Sequence, residues 1–101
     1  MSVRERIIEA LKKNIDPDKI VLFGSKVHNP NNASDFDLFV LKKNIKHKRK
    51  LAQQIYKILY PMKEAFDVIV DTPEHYEEFK AEKSYIYYEI ANKGEVIYEK
   101  K

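Results

Sequence analysis

The 101-residue sequence predicts one small α/β domain of the α+β kind, a mixed β-sheet with helices packed mainly on one face. Short runs rich in β-branched and aromatic residues, at 20–23, 35–41 and 66–70, alternate with longer stretches whose apolar residues recur every three or four positions. The length suffices for a single core and falls short of two ordinary domains, so residues 1–101 read as one domain. With 44% hydrophobic and 35% charged residues, the chain can fill that core and still carry a highly charged surface, which argues against disorder.

The elements follow in order. Val3, Ile7, Ile8 and Leu11 recur at helical spacing, with Glu5, Glu9, Lys12 and Lys13 on the other faces, and Asp16-Pro17-Asp18 ends this amphipathic helix. Ile20-Val21-Leu22-Phe23 is a short buried strand that stops at Gly24. The cluster Asn29-Pro30-Asn31-Asn32-Ala33-Ser34 reverses the chain. Asp35 to Leu41 then resumes as a strand, whose period of two sends Asp35 and Asp37 to the same side. Ile45, Leu51, Ile55, Ile58, Leu59 and Met62 form a second helical stripe that closes near Pro61. A third strand begins at Phe66, so the helix before it reads as a crossover on one face of a mixed sheet. Pro73 opens a short helix with Tyr76 and Phe79, and a last helix spans about 82 to 92, with Gly94 expected as its left-handed cap. Glu95 to Tyr98 is a final extended segment.

Composition excludes several classes of function. Without cysteine there can be no disulfide framework and no thiolate metal site. His28, His47 and His75 are scattered, with no helical pair to hold zinc. The start, Met1 to Arg6, leads into no continuous apolar run, so neither a signal peptide nor a membrane span is expected and a cytoplasmic setting fits. The net charge is only +3, yet Lys42, Lys43, Lys46, His47, Lys48, Arg49 and Lys50 fall within nine residues, a run that reads either as a solvated loop or as a contact for phosphates or an acidic partner. Tyr76, Tyr85, Tyr87, Tyr88 and Tyr98 read first as core, with a partner surface as the alternative.

Chemistry concentrates at the ends of strands. Gly24 is one of two glycines in the chain, and before Ser25 it would let a phosphate approach the backbone closely. Asp35 and Asp37 place two like charges on one strand face, a repulsion that Mg²⁺, with its preference for oxygen ligands, would remove. Asp67, between Phe66 and Val68, is a carboxylate among core residues that needs a partner or a metal. Asp71 shares its face at a spacing of four and competes for the same role.

Taken together, Leu22-Phe23-Gly24-Ser25, nine residues before Asp35-Phe36-Asp37, and Phe66-Asp67-Val68-Ile69-Val70 form a pattern. It resembles the signature of the polymerase beta-like nucleotidyltransferase superfamily, and the length and the ending Ile90 to Tyr98 look most like its minimal nucleotidyltransferase branch. The resemblance implies that fold and a nucleotidyltransferase that moves AMP from ATP to a hydroxyl. Two Mg²⁺ ions would be held by Asp35, Asp37 and Asp67, the catalytic carboxylates, and Gly24, Ser25 and Lys26 would hold the triphosphate. Family members place the third acid ahead of the apolar run, which selects Asp67 over Asp71. They often carry an arginine and a glycine shortly after the Gly-Ser pair, where this chain has Lys26, Val27, His28 and Asn29; Lys26 or His28 would replace the arginine.

The same resemblance implies a partner, a HEPN-type toxin whose tyrosine is modified, which makes this chain an antitoxin. The alternative is an antitoxin that neutralises by contact alone, although contact does not require three converging carboxylates. A nucleic-acid substrate ranks last, because no further domain positions a strand and the net charge is small. An oligomer is compatible with the sequence.

Overall fold

A computed structural model describes residues 1–24 and 35–101. The first helix, α1, spans Val3–Asn14. Ser2 caps it in a reciprocal capping box with Glu5, and Lys12 and Lys13 in its last turn complement the negative end of the helix dipole. Asp16, at φ 50°, turns the chain into strand β1, Lys19–Phe23. Strand β2, Phe36–Leu41, runs antiparallel to it, and after α2, Lys48–Leu59, and one 3-10 turn, Tyr60–Met62, strand β3, Phe66–Asp71, returns parallel to β2. Helices α3, Pro73–Phe79, and α4, Ile86–Lys93, lead to strand β4, Glu95–Glu99, antiparallel to β1. The order across this mixed sheet is β3-β2-β1-β4.

Strand alternation divides the core into two layers. On one face Ile20, Leu22, Leu38, Val40 and Val70 pack with Ile7 and Leu11 of α1 and Ile55 and Leu59 of α2. On the other, Val21, Phe39 and Leu41 meet Tyr76 of α3 and Ile90 of α4. The larger cluster lies under the two long helices, and the second face receives only the short pair. Phe39 anchors this thinner layer with Tyr76 and Tyr87, its ring 5.1 and 5.2 Å from theirs.

The sequence expectations hold for the crossover, the Pro73 helix and the final strand, and fail in three places. The second helix starts at Lys48, not at Ile45, because Asn44 adopts the left-handed conformation (φ 61°). The last helix starts at Ile86, since the rings of Phe79 and Tyr85 stack at 4.8 Å and 7° and hold the intervening residues in a turn. Gly94 is extended (φ −75°, ψ 160°), not a left-handed cap. Glycine is needed there for space: a Cβ would lie 2.5 Å from the Ile90 carbonyl oxygen and 2.7 Å from Val21 Cγ1.

Candidate active site

The register of the sheet sets rows across its thinner face. At one end Phe23, Asp37 and Asp67 lie side by side; next come Val21, Phe39 and Ile69; last come Lys19, Leu41 and Asp71. Helices α3 and α4 cover the middle row through Tyr76, Tyr87 and Ile90 and leave the first row open. Asp67 is exposed and Asp37 half-buried, on strands about 4.8 Å apart. Asp35 is exposed at the entry to β2.

Gly24 belongs to this end for two physical reasons. Its φ of 76° lies where side-chain-bearing residues are strained, and a Cβ built on it would overlap Oδ2 of Asp37. The glycine is therefore what lets the Asp37 carboxylate fold back over the end of β1. Asp37 titrates above the usual aspartate range, because partial burial disfavours its charge and the carboxylates of Asp67 and Asp35 add to that effect. The three acids named from the sequence thus share one electrostatic neighbourhood. Among the described residues no three acidic or imidazole side chains are gathered closely enough to enclose an ion as they stand. Ser25 and Lys26, with His28, lie outside the described residues.

Asp71 is at the opposite end of the same face and has a different role. Its side chain is fully enclosed. It accepts from Lys48 Nζ at 2.8 Å, from the Thr72 backbone N–H at 2.7 Å and from the Tyr87 hydroxyl, and it pairs with His75 Nδ1 at 2.6 Å. Burial alone would push its pKa up, but Lys48, Tyr87, His75 and the Thr72 N–H outweigh that and hold it at about 2. Tyr87 is pushed well above the ordinary phenol range, by burial first and then by the Asp71 charge. Asp71 is therefore a tie between β3, α2, α3 and α4, and no capacity is left to ligate a metal. In the sequence Asp71 stands as a rival to Asp67. The spacing Asp71-Thr72-Pro73-Glu74-His75, a cap followed by an i, i+4 pair, was the available signal of its structural role.

The family model described as "Polymerase beta, Nucleotidyltransferase" matches residues 5–101. The chain belongs to this family. Its fold is the polymerase beta-like nucleotidyltransferase fold, also found in solved toxin-antitoxin complexes. One, a toxin-antitoxin with AMP-PNP, is 20% identical, with a TM-score of 0.68 over 99% of this chain and 76% of that one. A second, an MntA-HepT toxin-antitoxin, is 20% identical, with a TM-score of 0.61 over 96% of this chain and 70% of that one. A third, a variant in which two aspartates two positions apart are replaced by glutamate, is 18% identical, with a TM-score of 0.67 over 99% and 75%. No curated protein matches the chain by sequence. Among the described residues no helix is long and apolar enough to cross a membrane.

Proposed function

We propose that this single domain is an Mg²⁺-dependent, cytoplasmic nucleotidyltransferase that transfers AMP from ATP to a tyrosine hydroxyl of a HEPN-type toxin, and so acts as its antitoxin. The observation that carries this reading is the in-register pair of Asp37, folded against Gly24, and Asp67, exposed where the helical cover stops. The solved complexes of similar fold support it. One contains AMP-PNP, and the aspartates replaced in another have the spacing of Asp35 and Asp37.

The donor set fits magnesium: every candidate ligand is a carboxylate oxygen, and Asp37, whose pKa is raised by partial burial first and then by Asp67 and Asp35, is a group that a nearby cation would return to its charged form. Asp35, Asp37 and Asp67 would hold two Mg²⁺ ions, which supply charge neutralisation for the triphosphate and activation of the acceptor oxygen. Asp67, exposed where Asp37 is half-buried, would accept the acceptor's proton. The acceptor oxygen bonds to the α-phosphorus as the bond to pyrophosphate breaks. Gly24, with Ser25 and Lys26 assigned by the resemblance, holds the triphosphate at the end of β1.

Incubation with a HEPN-type toxin from the same source, Mg²⁺ and α-labelled ATP tests this directly. Label on a toxin tyrosine, lost with Asp67→Asn, is the expected result. Neutralisation that survives Asp37→Asn without any label would establish the contact-only alternative instead.

A further inference from the structure

The formal charge of +3 hides a segregation. Eight of the 19 lysines and arginines, and none of the 16 aspartates and glutamates, lie between Leu38 and Lys63, so the rest of the chain is net negative. The fold collects this charge on one surface. Helix α2 buries Ile55 and Leu59, and at about 100° per residue Arg49, Gln53, Gln54, Lys50 and Lys57 share the opposite, exposed side, with Lys46 just ahead of the helix. Lys48 turns inward to Asp71, whereas Lys46, Arg49, Lys50 and Lys57 form no ion pair among the described residues.

This arrangement costs stability. The first turn of α2 carries three cations and no acid, the wrong sign for the positive end of a helix dipole, and His47 makes no capping hydrogen bond. Helix α1 of the same chain has a full capping box and an acid, Glu5, between the arginines of its first turn. Departures from local rules of this kind concentrate at functional surfaces. Beside the cations stand two exposed rings: Tyr60 is 82% exposed, and Tyr56, at 41%, is held by its hydroxyl accepting from the Val68 N–H.

We propose that the outward side of α2 binds single-stranded nucleic acid, with phosphates on Lys46, Arg49, Lys50 and Lys57 and a base stacked on Tyr60. Cations kept clear of every carboxylate, next to solvated aromatic rings, are what a sugar-phosphate strand with unpaired bases requires. An acidic protein face is the competing occupant, since exposed tyrosines also serve protein contacts, and the test below separates the two. From Arg49 to Lys57 the ridge is about 12 Å long and convex, which suits a flexible strand better than a duplex. Tyr56 is bonded to Val68, the residue after Asp67, but the proposal does not depend on the transfer reaction.

The test is fluorescence anisotropy of a short labelled oligoadenylate RNA on the full chain, between about 50 and about 200 mM salt. Binding should weaken with salt. The triple substitution Arg49→Glu, Lys50→Glu, Lys57→Glu should lower affinity at least about tenfold and reduce the slope of log K against log salt by about two. Tyr60→Ala should weaken binding about fivefold or more with an unchanged slope. All these positions are exposed, and circular dichroism checks that each variant is folded. A polyglutamate peptide of equal length binding as tightly as the RNA would overturn the proposal in favour of an acidic protein partner. Affinity unchanged in the triple variant, or in Tyr60→Ala, would also overturn it.

Discussion

Asp67 and Asp71 leave the same strand on the same face, four residues apart, and end in opposite surroundings. Asp67 is exposed, and its in-register neighbour is another carboxylate, Asp37. Asp71 is fully enclosed, with an ammonium, an imidazole, a phenol and a backbone N–H turned toward it. Among the described residues, one end of the sheet holds like charges together without compensation, and the other surrounds a single charge with partners. The position of the helices makes the difference: α3 and α4 seal the Asp71 end and stop short of the Asp67 end. An uncompensated end is where chemistry has something to gain from a cation, and a compensated end is where the fold gains from a charge.

Swapping the roles is the strongest test. Asp37→Asn and Asp67→Asn should each lower nucleotide transfer by about a thousandfold or more, measured with labelled ATP, while the chain stays folded. Asp71→Asn should leave transfer per folded molecule nearly unchanged and cost about 2–3 kcal/mol of stability by urea unfolding; Lys48 is half exposed, and water screens part of its loss. If Asp71→Asn removed transfer from a stable protein, the assignment of the two acids would be reversed.

Gly24→Ala comes next. The left-handed backbone and the overlap with Asp37 Oδ2 should cost about 1–2 kcal/mol, and transfer should fall because the carboxylate is displaced. A variant with full activity and unchanged melting temperature would show that the close approach of Gly24 and Asp37 has no role.

Acid should separate the two ends as well. Asp71 has a depressed pKa of about 2, so its contribution to stability is complete above the ordinary aspartate value near 3.8 and is lost as pH falls from there toward 2. Asp71→Asn should flatten that part of the unfolding profile. Asp37 has the opposite sign: its raised pKa means that the folded state favours the proton, and stability is given up as pH rises and the group ionises. Asp37→Asn should therefore raise the melting temperature at pH 7 by a small amount, about 1–3 °C, and the gain should shrink in acid. A fall instead would mean that the carboxylate is paired within the folded chain.

Much of this was legible in the sequence because it depends on local periodicity. A period of two put Asp35 and Asp37 on one side, apolar runs marked strands that the structure places within a residue or two, and Pro73 marked a helix start. Glycine was less transparent. Gly24 and Gly94 both end elements, yet one is required by a left-handed backbone beside a carboxylate and the other by the approach of Val21 from a different strand. The sequence by itself determined which residue types stand at the strand ends, since alternation and turn chemistry are properties of neighbours along the chain. The crossover already implied a parallel β3, but only the tertiary structure decided that β3 lies directly beside β2 with Asp67 in register with Asp37, and that α2, α3 and α4 converge on Asp71. Strand pairing and helical cover join residues far apart in the chain, and it is desolvation and the charges brought close by folding that make one aspartate a structural tie and leave the other free for chemistry.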